Sequence, residues 1–212
     1  MKLVAEVTEF IAAHPQYACW AIFFLALSEA IPIVGTVVPG STLVVAISAL
    51  ATNANISPWL MLVAATMGAI VGDGLSFWLG QRYHREILQR WPINQFPQLV
   101  ARSEAFFNQY GSASVFLARF TAVVRAFVPL MAGILRMPAR QFYAANILSA
   151  VIWAPAHVFP GVVLAILASL IGASAEQLFM LVVGAMIVAW ALFRVVRLAF
   201  RRGILRWPAS PK

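Results

Sequence analysis

Glu29, Asp73, Arg119 and Arg125 each stand inside an otherwise apolar stretch of the chain. An arginine at the middle of a spanning helix costs about 2.5–3.5 kcal/mol, so ionisable groups at that depth are paired and, by default, functional. Opposite charges offset the cost of burial, and Glu29 is expected beside at least one of the two arginines. A guanidinium stays protonated and its fork matches phosphate bidentately, which suits the headgroup of an anionic lipid better than a lysine would. A carboxylate in a partly dry setting can exchange a proton near neutral pH and so couple proton movement to substrate movement. Glu29 is the residue expected in that role. Asp73 lies about 13 Å along a helix from Arg82, and reads equally as an interfacial residue or as a partner for an arginine. The alternative to a working site is a static ion network that fixes packing.

These groups belong to a chain that cannot cover a water-soluble surface. Of 212 residues, 62% are hydrophobic and 10% charged, against about 25% charged in a soluble domain. The composition is that of an integral membrane protein with one membrane domain. Fifteen Lys and Arg face seven Asp and Glu, giving a formal charge of +8. That excess reads as a positive bias on cytoplasmic loops rather than as a nucleic-acid interface, because many of the basic residues border long apolar runs. The single cysteine, Cys19, can form no intrachain disulfide. No His, Cys and carboxylate cluster has metal-ligand spacing, and no hydrolase elbow, zinc motif, phosphate loop or dinucleotide fingerprint is present. Neither a metal, a cofactor nor an enzymatic activity is expected. His157, between Pro155 and Pro160, reads as a locally bonded histidine before a proton relay.

The elements that must hold the four charges are fragmentary. Residues 1–15 fit an interfacial amphipathic helix. Tyr17 to Leu27 is apolar, Glu29 follows, and Pro32, Gly35, Pro39 and Gly40 interrupt before Leu43 to Leu50 resumes. Neither half is a full span, and short pieces of that kind are more often re-entrant than crossing. Asn53 to Pro58 is a polar turn, and Trp59 to Gly80 is long enough to span. Within it Gly68, Gly72, Ser76 and Gly80 form a small-residue stripe that permits close helix packing. The polar segment 81–109 is assigned to the cytoplasmic side.

Ser112 to Leu135 is again broken, by Arg119, Arg125, Pro129 and Gly133. On a straight helix the two arginines would point about 240° apart, so a broken or re-entrant element is expected rather than a single lipid-facing helix. Phe142 to Ile171 is expected as one kinked crossing, and Leu178 to Leu198 crosses back to a basic tail. If 112–135 re-enters, segment 81–109 and the tail share one side, as their arginines require. Glu29 precedes Pro39 by the same ten residues that separate Arg119 from Pro129. Matched broken segments in two halves are a pointer to a midplane binding site in an inverted-repeat transporter.

The chain resembles the DedA family of membrane proteins, also described by a SNARE-associated or VTT domain. The resemblance runs from about Leu25 to Leu164. It rests on Glu29 with VVPGST at 37–42, on Gly68-Ala-Ile-Val-Gly-Asp73 continuing to Leu79-Gly80-Gln-Arg82, and on Arg119-Phe-Thr-Ala-Val-Val-Arg125 leading to Pro129 and Ala132-Gly133. Phe142, Asn146 and Trp153 complete it. It implies an inner-membrane protein with two re-entrant hairpins facing each other and proton-dependent handling of phospholipids or of undecaprenyl phosphate. By matching, Glu29, Arg119 and Arg125 are functional positions and Asp73 a fourth. Two departures stand out: Ser41 occupies a position often acidic in the family, and Thr121-Ala122 replaces a proline common between the arginines. Counting Glu29, Arg119 and Arg125 alone, the loss of that carboxylate leaves a formal +1, which favours an anionic substrate.

The resulting expectation is an all-α, multi-pass protein of the bacterial inner membrane. Two re-entrant helical hairpins join three or four spanning helices, in one domain over 16–198 with a cytoplasmic basic tail over 199–212. Arg119, Arg125 and Ser41 bind a lipid with a phosphate headgroup, and Glu29 and Asp73 exchange protons. A homo-oligomer is compatible with this reading. A gradient-independent scramblase and a non-transporting protein that supports envelope assembly are the alternatives.

Overall fold

The computed structural model describes residues 13–172, except 33, 38, 39, 90–92, 122 and 123, together with 177 and 184. The interfacial helix expected at the N-terminus, apart from residues 13–15, lies outside the described residues. So do the crossing at 178–198, apart from residue 184, and the basic tail.

Every described element is helical. Helix α1 (Pro15–Ala30) opens on a proline in its first turn, where no N–H is missed. It stops because Ile31, extended at φ −84° and ψ 130°, precedes Pro32. A four-residue turn, α2 (Val34–Val37), separates it from α3 (Gly40–Asn53). Helix α4 (Pro58–Tyr83) again starts on a proline, after a turn in which Asn55 takes φ 59°. Two 3-10 turns, His84–Gln89 and Ile93–Gln95, lead to α5 (Pro97–Tyr110). The expected break at 112–135 is present: α6 (Ala113–Ala118) and α7 (Val128–Ile134) are six and seven residues long. The last described helix, α8 (Ala139–Leu170), runs 32 residues with Pro155 and Pro160 inside it. Each of those prolines removes one intrahelical hydrogen bond.

Two stretches, Pro58–Gln89 and Ala139–Leu170, are long and apolar enough to cross a bilayer. Helix α8 leaves Leu148, Val151, Ile152, Val163 and Leu167 about half exposed along its length. An apolar band of that extent suits lipid and not water.

Helix α4 is the central element, packed against α1, α7 and α8, while α8 also receives α3. The small-residue stripe explains how α4 takes neighbours so closely. Gly68 lies against the Phe23 carbonyl and Gly72 against the Leu27 carbonyl, and Ser76 Oγ donates to the Ala30 carbonyl at 3.1 Å. One turn on, Gly80 faces Leu130 and Gly133 of α7. The stripe is thus a packing surface: its first three members seat α1 and its last seats α7. Helices that carry Glu29 and flank Arg125 are thereby fixed to the helix that carries Asp73.

Candidate functional site

Glu29 sits in the last turn of α1 and Ser41 at the start of α3, so the reversal of the chain between the two helices brings them together. Ser41 Oγ donates to Glu29 Oε1 at 2.5 Å. Arg125, in the turn between α6 and α7, donates from Nη1 to the same Oε1 at 2.6 Å and reaches Ser41 Oγ at 3.3 Å. Glu29 is 5% exposed, so this is a buried charge pair with a bridging hydroxyl. Gly40 leaves the room: a Cβ there would lie 2.7 Å from Glu29 Oε2.

Arg119 does not join that group. At the C-terminal end of α6, it donates from Nη2 to Asp73 Oδ2 of α4 and, at 2.5 Å, to Asn146 Oδ1 of α8. Asn146 is fully buried and donates in turn to the Ile70 carbonyl at 3.1 Å, tying α8 to α4. The two pairs are neighbours, for Gly72, next to Asp73 in α4, lies against Leu27 and Ala30, which flank Glu29 in α1. Buried pairs of this kind offset desolvation only where further hydrogen bonds complete them. Ser41 does so for one pair and Asn146 for the other.

All five expected site residues therefore fall into two adjacent clusters. Glu29 has the arginine neighbour expected of it, Arg125, and Asp73 is the partner of Arg119. The charge balance read from the sequence needs correction. With Asp73 inside the cluster, two carboxylates meet two arginines and the formal charges cancel, in place of the +1 expected from Glu29, Arg119 and Arg125 alone.

Among the described residues, two buried atoms of these pairs make no hydrogen bond: Glu29 Oε2 and Arg119 Nε. One is a spare acceptor and the other a spare donor in a setting where neither is left idle without cost.

Sequence reasoning assigned no role at the site to Asn146 or Trp153. The signal for Asn146 was a carboxamide within a long apolar run, which needs a partner if buried. Trp153 carries no charge and gives no comparable signal. It is 1% exposed and lies beneath Arg125, whose guanidinium carbon is 5.6 Å from the ring centroid. Trp59, 73% exposed, does suit a belt.

With this geometry in place, the comparison with known families is direct. The model of the VTT domain matches residues 38–163. The chain belongs to the DedA, or VTT-domain, family of membrane proteins. The matched region ends beyond Asn146 and Trp153 and covers Ser41, Asp73, Arg119 and Arg125, though not Glu29. Among relatives, it is 30% identical over 159 residues to the inner membrane protein YabI of Escherichia coli, covering 74% of this chain and 62% of YabI. It is 27% identical over 165 residues to Protein DedA of Escherichia coli, covering 76% of this chain and 75% of DedA. An uncharacterized membrane protein of Synechocystis, slr0232, is 36% identical over 142 residues, 66% of this chain and 63% of that protein. The chain thus spans less than two thirds of the length of YabI and of slr0232. No solved structure matches it. As DedA-family members, these relatives support a membrane location for the chain.

Proposed function

We propose that this DedA-family protein is a proton-coupled transporter or flippase that moves an anionic phospholipid or polyprenyl phosphate, undecaprenyl phosphate foremost, across the inner membrane. The observation that carries the reading is the pair of buried, neighbouring arginine–carboxylate contacts. A proton placed on Glu29 removes the charge that holds Arg125, and a phosphate headgroup then replaces the carboxylate on the guanidinium fork. The hydroxyl of Ser41 can follow the exchange, because it donates as readily to a phosphate oxygen as to a carboxylate. Asp73 and Arg119 allow the same exchange at the second pair, with Asn146 holding the arginine in place. Loss of the proton restores each pair and expels the headgroup. In this reading α1 to α3 and α6 to α7 are two re-entrant hairpins facing each other, and the basic tail is cytoplasmic.

The test is movement of labelled undecaprenyl phosphate across proteoliposome membranes, for the wild type, Glu29→Gln and Arg125→Ala, with and without a pH gradient. Gradient-dependent movement lost in both variants is the expected result. Movement that ignores the gradient would make the protein a scramblase. No movement of this lipid or of anionic phospholipids would favour a role in envelope assembly.

A further inference from the structure

His157 takes no part in the two ion pairs, yet a shared ring joins it to one of them. Its imidazole stacks on Trp153 with centroids 4.4 Å apart and planes 28° from parallel. Arg125 addresses the same indole at 5.6 Å. His157 Nδ1 lies 2.8 Å from the Trp153 carbonyl oxygen, one turn earlier in α8. A carbonyl only accepts, so Nδ1 carries the hydrogen and Nε2 carries the lone pair that can take a proton. A proton there sets a second cation against an aromatic ring already engaged by Arg125, and two cations in a setting of low dielectric repel each other.

The charged groups that reach His157 are few. Arg125 faces it across the Trp153 ring, and Glu29 of α1 stands beyond as the ion-pair partner of Arg125. Of the helices packed on α8, α3 carries no ionisable side chain and α6 brings only Arg119 at its C-terminal end, paired with Asp73. Helix α4 contributes Asp73, which Arg119 holds, and Arg82 and Tyr83 at its C-terminal end.

We infer that His157 is a second proton-accepting group of this cluster, a positioning residue whose charge acts on Arg125 through the Trp153 ring they share. The ligand is the proton itself. In the cycle above, which this inference rests on for its use, protonation at His157 weakens the hold of the ring on Arg125 and makes that arginine available. Ser41 offers Arg125 a hydroxyl that does not titrate near neutral pH, and His157 supplies a titratable group near the same arginine.

The full chain in lipid nanodiscs, labelled in its histidine rings, provides the test by NMR titration. The sequence has three histidines, His14, His84 and His157, and His157→Gln identifies its resonance. Arg125→Gln is expected to move the His157 midpoint to higher pH by about half a unit or more, and Arg125→Lys, which keeps the charge, by much less. Glu29→Gln, nearly isosteric, is expected to move it the opposite way, which keeps the inference testable if Arg125→Gln does not fold. The midpoints of His14 and His84 should stay put. A His157 midpoint unmoved in the folded variants, or one moving in the same direction on loss of either charge, would overturn the inference. Because the titration needs no transported lipid, coupling with no transport would sink the transporter reading alone.

Discussion

The backbone of Gly40 lies directly against the carboxylate of Glu29, such that an added Cβ would be 2.7 Å from Oε2 and 2.9 Å from the glutamate's own Cβ. Gly40→Ala therefore forces the carboxylate away from Arg125 and Ser41. Overpacking of this kind costs about 1–3 kcal/mol. The variant should unfold at lower temperature in detergent and lose gradient-dependent lipid movement. Normal transport by Gly40→Ala would show that Glu29 is not held where it works.

Asp73→Asn leaves Arg119 buried with its charge unmatched, a situation worth about 3–5 kcal/mol of destabilisation. Adding Arg119→Gln removes the orphaned charge, so the double variant should be more stable than the sum of the single changes allows. A double-mutant cycle on thermal or denaturant unfolding reads this coupling directly. Strict additivity would mean that the two groups do not share a pair in the bilayer.

Asn146 holds Arg119 on one side and the Ile70 carbonyl on the other. Asn146→Ala should cost about 1–3 kcal/mol through the partner it leaves unsatisfied. It should also slow lipid movement more than it lowers protein yield, since Arg119 is then positioned by Asp73 alone. Yield and transport falling in step would assign Asn146 to packing only.

Two neighbouring glycines of α4 should differ sharply. A Cβ at Gly72 would meet the Leu27 carbonyl oxygen at 2.6 Å and the Ala30 Cβ at 2.7 Å, whereas at Gly74 the nearest atoms belong to the Tyr143 ring at 3.4 Å. Gly72→Ala is expected to lower the amount of folded protein in the membrane several-fold by the overpacking cost, and Gly74→Ala to be tolerated. Size-exclusion profiles of the two purified variants would decide.

Local signals carried much of the fold into view. Pro32 interrupts the chain where α1 stops, Pro58 closes the polar turn before α4, and the arginines and Pro129 mark the broken stretch between α6 and α7. The glycine stripe announced close packing, though not which helices it would seat. The need of Glu29 for a cation was also legible, because an unpaired buried charge is costly wherever it lies. Which arginine answers it was not. Glu29 and Arg125 are 96 residues apart, and Asp73 and Arg119 are 46 apart, so the pairing depends on how α4 and α8 present their faces, a tertiary property that spacing does not encode. The same applies to Trp153, whose position under Arg125 follows from the packing of α8.

The cancellation of charge in the cluster has an electrical consequence. A membrane potential does work of about 2.3 kcal/mol per 100 mV on each elementary charge that crosses it. Two arginines matched by two carboxylates present no net charge to that field, so in the proposed transport cycle an empty site would change its exposure from one face to the other without the voltage favouring either. In that cycle the potential would act only on the headgroup and the protons that accompany it, and the ratio between them would set whether each turn carries current.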